Sequence, residues 1–312
     1  MKILILGAAG FIGRNLVENL IGNMEHELYL FDRNSLQGQL LAQEKNCHMI
    51  FGHFSPETDF NNLTKGMDIV YHLISTTLPN TSMKKVSDGI RDNVMVTAQL
   101  LEACAENKVG KIVFLSSGGT VYGLSKQVPF HEGVITMPIS AYGMQKIAIE
   151  KLLYLYYYTY GMDYRIIRLA NPYGRYQRPD GVQGVIASFL YRALRDEEIC
   201  VYGDGKIVRD YIYIDDAISA IKNITKYDGE YKIFNVGSGI GTSVNEIICV
   251  IERILGRTLN VRFEKGRKAD VPINILDISR YEENIGQLIQ VTLEEGIRRT
   301  MKYYGELNRI GK

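Results

Sequence analysis

The chain has 312 residues, of which 46% are hydrophobic and 23% are charged, and its formal net charge is +1. This length allows a large core and two lobes, because single domains usually hold about 100–200 residues. The near-neutral charge argues against a nucleic-acid or membrane-surface binder, and no apolar run reaches the roughly 18 residues of a membrane-spanning helix.

In the first half of the chain, short apolar runs alternate with amphipathic stretches. The apolar runs predict strands at residues 3–6, 28–31, 48–51, 69–73, 112–115 and 164–169. Helical periodicity predicts helices at residues 11–21 and 94–105, and a long helix that begins near residue 141. Such alternation is typical of βαβ units, so we expect an α/β protein with a Rossmann-type, doubly wound parallel sheet.

After residue 170 the predicted elements become shorter. The helices are predicted near residues 185–194, 215–222, 244–255 and 293–303, and the strands near 199–202 and 207–213. We expect residues 1–170 to form the Rossmann domain and residues 171–312 to form a smaller α/β lobe. This lobe should pack beside the carboxyl ends of the strands, where open α/β sheets bind ligands. We also expect the chain to cross between the two lobes.

Part of the long helix, residues 149–160, is apolar or aromatic almost all round. Its apolar and aromatic side chains include Leu152, Leu153, Leu155, Tyr156, Tyr157, Tyr158 and Tyr160. A helix without a polar face has to be covered on two sides, one by its own sheet and the other by a partner subunit. We therefore expect a homodimer formed through the helices near residues 82–108 and 141–161.

The cysteines and the N-terminus predict a cytoplasmic protein. The four cysteines are Cys47, Cys104, Cys200 and Cys249. They show no metal-ligand spacing, which predicts reduced thiols and no metal site. The first residues lack the cleavable pattern of a signal peptide.

A glycine-rich segment follows the first predicted strand and opens the first predicted helix. Its predicted cofactor-binding residues are Gly7, Gly10, Phe11, Ile12 and Gly13. Glycines let the backbone approach a pyrophosphate, and the helix N-terminus offers unpaired N–H groups. Asp32 ends the second predicted strand, where a carboxylate can accept hydrogen bonds from both ribose hydroxyls. The same carboxylate repels a 2′-phosphate, so NAD is favoured over NADP, although Arg33 could accommodate that phosphate.

Tyr142 and Lys146 form the predicted catalytic pair. They are four residues apart, about one helical turn, so both side chains should lie on one face of a helix. A free tyrosine has a pKa of about 10 and is a poor base at neutral pH. A lysine ammonium beside it favours the phenolate, which can then exchange a proton with an alcohol. Alone, the spacing fits a solvated helix face equally well, and the glycine loop supports the catalytic interpretation.

Nine segments carry a resemblance to a known family. They are residues 7–13, 68–73, 93, 116–123, 142–146, 171–174, 209–212, 234–239 and 267–270. Together they resemble the extended short-chain dehydrogenase/reductase family, and within it the nucleotide-sugar epimerases and dehydratases. The resemblance implies that Leu73, Asn93 and Lys146 lie near an NAD cofactor.

The resemblance also implies a UDP-sugar site. The residues it implies for the nucleotide diphosphate are Asn171, Tyr202, Arg209 and Arg267. This assignment fits the chemistry, because arginine forks match phosphate oxygens and a tyrosine can stack on uracil. A surface ion pair is the structural alternative for Arg209 and Arg267.

The segment before Val121 departs from the family pattern. Members usually carry a serine or threonine three residues before this valine, to bond the reacting hydroxyl, and here the residue is Gly118. Thr120, Ser117 or a water could supply that hydroxyl, with Thr120 slightly favoured. The acid that dehydratases usually carry just before the valine is also absent, which argues against dehydration. His53 replaces an acid often found near the adenine, and we assign it no chemical role.

The sequence therefore predicts an NAD-dependent UDP-sugar 4-epimerase that acts through a transient 4-keto sugar, with Tyr142 as the base. A nucleotide-sugar 4,6-dehydratase, a decarboxylase or a 4-keto reductase is the enzymatic alternative, and a non-catalytic NAD-binding regulator is the alternative from another class. The sugar stays open between a hexose, an N-acetylhexosamine and a hexuronate, since Arg178 could pair with a C6 carboxylate.

Overall fold

The computed structural model describes residues 1–23, 25–77, 82–124, 127–179, 184–266 and 271–310. The strands are β1 (Lys2–Leu6), β2 (Glu27–Asp32), β3 (Cys47–Phe51), β4 (Ile69–His72), β5 (Lys111–Ser117), β6 (Asp163–Leu169), β7 (Asn171–Tyr173), β8 (Ile199–Tyr202), β9 (Val208–Tyr213), β10 (Ile233–Val236), β11 (Gly241–Ser243), β12 (Val261–Glu264) and β13 (Ile273–Asn274). The α-helices are α1 (Phe11–Ile21), α2 (Leu36–Leu41), α3 (Phe60–Thr64), α4 (Val86–Gly89), α5 (Val96–Glu106), α6 (Ala141–Tyr160), α7 (Val185–Ala193), α8 (Ile214–Lys226), α9 (Val244–Leu255), α10 (Ser279–Asn284) and α11 (Leu293–Ile310).

Seven strands form the main sheet in the order β3-β2-β1-β4-β5-β6-β10. All neighbouring pairs are parallel. The chain order reverses between β1 and β4, and ligands of open α/β sheets bind at such a switch point, outside the carboxyl ends of the strands. The prediction of a Rossmann-type, doubly wound sheet is confirmed.

The core consists of two apolar layers, one on each face of the main sheet. Successive side chains of a strand point to opposite faces, so Ile3 and Ile5 of β1 belong to one layer and Leu4 and Leu6 to the other. Helices α1 and α8 cover the first face, and α5 and α6 cover the second.

The shorter elements after residue 170 form two small sheets. Strand β9 pairs with β7, β11 and β13, and β8 pairs with β12. Strand β10 instead joins the main sheet beside β6, so the chain returns to that sheet after β9. The proposed division at residue 170 stays a prediction.

Helix α6 owes its bounds to residues at its two ends. The Ser140 hydroxyl accepts a hydrogen bond from the Gly143 backbone N–H at 3.1 Å, which satisfies one donor of the first turn. Gly161 ends the helix with φ of +70°, a left-handed conformation that costs glycine little. The cap places Tyr142 in the first turn, at the carboxyl edge of the sheet.

The C-terminal half of α6 exposes several large side chains. These are Tyr154, Leu155, Tyr157, Tyr158 and Tyr160, and Tyr158 is 79% exposed. In the neighbouring segment, Ile90 and Met95 are also exposed. Of the helices that the structure describes, none is both long and apolar enough to cross a lipid bilayer.

Candidate active site

The glycine loop between β1 and α1 leaves no room for side chains. Gly7 has φ of +91°, in the region that glycine adopts at little cost. A Cβ on Gly13 would lie 2.0 Å from the Gly7 carbonyl oxygen. Helix α1 therefore packs directly on the loop, and a side chain at residue 13 would push the two apart.

The N-terminus of α1 is open to an anion. Gly10 caps the helix and provides no side-chain hydrogen bond, and the Arg14 N–H is the first to bond back, to the Gly10 carbonyl at 2.8 Å. The backbone N–H groups of Phe11, Ile12 and Gly13 come before this first helical hydrogen bond, so they have no acceptor within the helix. Free N–H groups and the helix dipole suit a pyrophosphate.

Asp32, the last residue of β2, faces this loop. Its Oδ2 accepts a hydrogen bond from the Ala9 N–H at 2.9 Å, and its Oδ1 accepts one from the Arg33 N–H at 2.7 Å. Each carboxylate oxygen keeps a lone pair for a ribose hydroxyl. The loop, the open helix end and this carboxylate together fit a dinucleotide. Arg33 is exposed and could still meet a 2′-phosphate.

Tyr142 and Lys146 lie on the same face of α6. The Lys146 Nζ is 5.5 Å from the centroid of the Tyr142 ring and 4.7 Å from that of Phe114. It donates a hydrogen bond to the Leu115 carbonyl at 2.7 Å, and the Lys146 side chain is buried. The predicted pairing on one helix face is present.

The protonation of this pair differs from the expectation. Burial raises the pKa of Tyr142 to about 12. Burial also lowers the pKa of Lys146 to about 7, against the opposing charge of Glu150. In the protein alone, burial therefore sets the direction of the Tyr142 pKa, and the expected lowering by the lysine is not found.

A small cavity lies beside the pair. Its lining residues are Ile74, Ser75, Asn93, Tyr142, Gln145, Lys146 and Ile149. Leu73, which the resemblance places near the cofactor, directly follows β4 and immediately precedes two of the lining residues. The cavity joins the end of β4 to the first turns of α6.

Asn93 and Gln145 fix one wall of this cavity. Asn93 lies in a π-helical segment, Ile90–Met95, a distortion that frequently occurs at functional sites. Its Oδ1 accepts from the Thr76 N–H at 2.9 Å, and its Nδ2 donates to the Gln145 Oε1 at 3.2 Å. Sequence reasoning missed Gln145, although its position between Tyr142 and Lys146 was a signal.

Leu276 explains why residue 118 is a glycine. A Cβ on Gly118 would lie 2.5 Å from the Leu276 Cδ1 and 3.0 Å from the Arg168 carbonyl oxygen. Leu276 is fully buried, and Asn274 of the same segment donates to the Gly118 carbonyl at 3.2 Å. A leucine side chain thus occupies the space of the usual hydroxyl residue.

The two substitutes for that hydroxyl differ in their surroundings. Ser117 ends β5 and is partly exposed. The Thr120 Oγ1 is buried and has no hydrogen-bond partner among the described residues. The Thr120 backbone lies against α6, since a Cβ on Gly143 would come within 2.7 Å of the Thr120 carbonyl oxygen.

Three of the four residues assigned to the nucleotide diphosphate lie in the small sheets. Asn171 and Arg209 are on neighbouring strands, and the Asn171 Nδ2 donates to the Asp210 carbonyl at 2.8 Å. Arg209 donates to the Val271 carbonyl at 2.6 Å. Tyr202 ends β8 and is 42% exposed.

The two remaining arginines differ in status. The side chain of Arg178 is exposed. Arg267 lies outside the described residues, so its assignment stays a prediction.

Comparisons with known proteins identify the family of the chain. The profile of the NAD dependent epimerase/dehydratase family matches residues 3–237. A putative UDP-glucose 4-epimerase of Methanocaldococcus jannaschii is 32% identical over 98% of this chain and 99% of its own. A dTDP-4-dehydro-6-deoxyglucose reductase of Escherichia coli is 33% identical over 96% of each chain. The crystal structure of the Thermotoga maritima UDP-glucose 4-epimerase with UDP-glucose has a TM-score of 0.92 and 33% identity, over 99% of this chain and 100% of that one. The chain belongs to the NAD-dependent epimerase/dehydratase family, a branch of the extended short-chain dehydrogenases/reductases.

Proposed function

We propose that the protein is an NAD-dependent UDP-sugar 4-epimerase. The observation that carries this proposal is the placement of Tyr142 and Lys146 at the cavity beside the switch point of a dinucleotide-binding sheet. UDP-glucose 4-epimerases among the relatives, similar over almost their whole length, support the same reaction. Bound NAD⁺ supplies a hydride acceptor and, after the first half-reaction, the donor of the same hydride.

Tyr142 serves as the base in this proposal. Its phenolate takes the proton of the sugar C4 hydroxyl when hydride leaves C4. After the 4-keto sugar has turned its other face toward the hydride donor, Tyr142 returns the proton to the C4 oxygen. Lys146, held by the Leu115 carbonyl, stabilises the phenolate and orients a cofactor ribose. Asp32 and the N-terminus of α1 hold the adenosine ribose and the pyrophosphate.

Thr120 is our choice for the hydroxyl that bonds the reacting sugar oxygen. An unpaired buried hydroxyl costs about 1–3 kcal/mol, and a substrate oxygen would satisfy it. Thr120→Val keeps the shape and removes the hydroxyl, and Ser117→Ala is its matched control. A larger fall in kcat for Thr120→Val supports the choice, whereas the reverse order assigns the role to Ser117.

The sugar is a UDP-hexose, a UDP-N-acetylhexosamine or a UDP-hexuronate. With a uronate as the substrate, Arg178 would pair with the sugar carboxylate, since the exposed arginine side chain can turn toward it. Product analysis by NMR on all three substrate classes decides among them. Arg178→Ala should reduce kcat/KM for the uronate alone if that substrate is the physiological one.

The enzymatic alternative is a 4-keto reductase, the activity named for the Escherichia coli relative. A reductase consumes one reduced cofactor per product, whereas an epimerase regenerates its cofactor in each cycle. Turnover of a UDP-sugar without net change in NADH absorbance supports the epimerase, and stoichiometric NADH consumption would refute it.

Tyr142→Phe tests the proposed base. The variant should lose turnover and retain UDP-sugar affinity, because the ring stays and only the ionisable hydroxyl is removed. Product NMR and titration calorimetry measure the two properties. An active Tyr142→Phe enzyme would exclude the mechanism.

We also propose that the enzyme is a cytoplasmic homodimer. The exposed tyrosines of α6 and the neighbouring Ile90 and Met95 form an apolar surface of the kind that a partner subunit covers.

A further inference from the structure

A buried carboxylate lies one helical turn beyond the catalytic pair. Tyr142, Lys146 and Glu150 follow one another at intervals of four residues on α6, so the three side chains share one face of the helix. Glu150 is 3% exposed and Lys146 is 5% exposed. A carboxylate at this depth has to be paired to remain charged.

Two groups bind the Glu150 carboxylate. Its Oε1 accepts a hydrogen bond from the Ser116 hydroxyl at 2.5 Å, and the Arg168 guanidinium donates to Oε1 at 3.2 Å and to Oε2 at 2.7 Å. A two-pronged bond from arginine to a carboxylate strongly favours the ionised form. Arg168 is also buried, so its charge depends equally on Glu150.

Lys146 and Glu150 hold consecutive residues of β5. Lys146 donates to the Leu115 carbonyl, and Glu150 accepts from the next residue, Ser116. One turn of α6 is therefore fastened to one short stretch of the strand. This contact fixes the distance between the lysine ammonium and the tyrosine ring one turn earlier.

Few other charges face Lys146. From β4, His72 is the nearest titratable group, and burial lowers its pKa to about 3, so it is neutral. From β5, the Phe114 ring and the Leu115 carbonyl contribute no net charge. From α6, Tyr142 is protonated near neutral pH because its pKa is raised to about 12. The Glu150 carboxylate, which is paired with Arg168 of β6, is the acidic group whose charge opposes the effect of burial on the Lys146 pKa.

We propose that Glu150 is the positioning residue that favours the protonated form of Lys146 and holds its side chain in place for its role toward Tyr142. The proposal rests on the function proposed above, because that function requires a charged Lys146. Without the negative charge of Glu150, the ammonium would face a buried and uncompensated Arg168. The burial that already lowers the pKa of Lys146 would then act without opposition.

Glu150→Gln is the direct test, since glutamine keeps an acceptor for Ser116 and Arg168 and removes the charge. The pKa of Lys146 is read from NMR spectra of isotopically labelled lysine, with the signal assigned by its loss in Lys146→Met. We expect Glu150→Gln to lower this pKa by about one unit or more. This readout needs no substrate, so it fails or succeeds independently of the proposed epimerase activity.

Glu132→Gln is the matched control. Glu132 is an equally buried carboxylate that accepts from the Asn235 N–H at 2.8 Å and lies 3.4 Å from the Arg280 guanidinium. This change should leave the Lys146 titration where it is in the wild type. Equal shifts in both variants, or none in Glu150→Gln, would overturn the proposal.

Two further measurements separate this role from a structural one. Glu150→Asp keeps the carboxylate but shortens the side chain by one methylene, so it should shift the Lys146 pKa less than Glu150→Gln does. If the glutamine variant does not fold, the aspartate variant tests the effect of Glu150 on the Lys146 pKa. In active enzyme, Glu150→Gln should move the alkaline limb of the kcat profile to lower pH. An alkaline limb at the wild-type pH in Glu150→Gln would contradict the proposal. It would also be contradicted if Glu150→Asp shifted the Lys146 pKa as far as a folded Glu150→Gln protein does.

Discussion

Gly118→Ser would restore the hydroxyl residue that the family usually carries, and the structure predicts that it destabilises this protein. The new Cβ would lie 2.5 Å from one methyl group of Leu276 and 3.0 Å from the Arg168 carbonyl oxygen. The methyl group is the end of a side chain and can move, but Leu276 is fully buried and the carbonyl is backbone. Overpacking of this kind costs about 1–3 kcal/mol.

A double-mutant cycle that combines Gly118→Ser with Leu276→Ala measures that contact. The alanine alone should cost about 2–5 kcal/mol because it opens a cavity, but the serine side chain of the double variant fills part of that cavity. We therefore expect the double variant to be more stable than the sum of the single effects by about 1 kcal/mol or more. Urea denaturation supplies the free energies of unfolding.

Gly119→Ser is the control, since the nearest atom to its new Cβ is the Ser117 hydroxyl oxygen at 3.9 Å. It should change the free energy of unfolding by less than about 0.5 kcal/mol. A Gly118→Ser protein as stable as the wild type, or strictly additive effects in the cycle, would refute the conclusion that Leu276 has taken the place of the hydroxyl residue.

The remaining predictions concern the cofactor loop, the assembly and the base. Gly13→Ala should weaken NAD binding in calorimetry by at least about tenfold, because its Cβ would overlap the Gly7 carbonyl and displace the loop from the pyrophosphate. Gly22→Ala at the other end of α1 has no atom within 4 Å and should bind NAD normally. Tyr158→Glu should convert the proposed dimer to a monomer in sedimentation velocity, whereas Ile240→Glu should not, because Ile240 lies outside α6 and is 65% exposed. In the absence of NAD⁺, the phenolate absorbance of Tyr142 is obtained by subtracting the spectrum of Tyr142→Phe from that of the wild type. This absorbance should appear only far above neutral pH, and an onset near pH 7 would contradict the raised pKa of Tyr142.

The sequence predicted the main sheet well because local pattern and tertiary structure agree there. The apolar runs that predict the inner strands β1, β4, β5 and β6 are largely buried on both faces, which is the environment of a parallel sheet. The positions of Asp32 and the glycine loop could be predicted for the same reason. Both lie at the carboxyl ends of neighbouring strands, and the loop leads directly into helix α1. The predicted strand at residues 69–73 ends one residue earlier, at His72, a difference within the usual uncertainty of boundaries.

What the sequence could not predict were contacts between distant segments. Leu276 and Gly118 are in contact although they are more than 150 residues apart in the sequence. The sequence alone therefore indicated that the usual hydroxyl residue was absent, but not that a leucine side chain occupies its place. The partners of Glu150 are a serine and an arginine on two different strands. The sequence spacing places Glu150 one helical turn after Lys146, but it could not show that the carboxylate is buried and paired with Arg168.

The titration of Tyr142 shows why the catalytic pair needs more than its two residues. Lowering the pKa from about 12 to about 7 requires about 7 kcal/mol, at about 1.4 kcal/mol for each unit. One full charge at about 4 Å contributes roughly 4 kcal/mol at the effective dielectric constant of a protein site. Lys146, with its own pKa near 7, provides less than that when it stands alone. A second positive charge is needed, and an oxidised nicotinamide ring carries one. In the proposed mechanism, an oxidised cofactor bound beside Tyr142 would supply the further lowering of the tyrosine pKa.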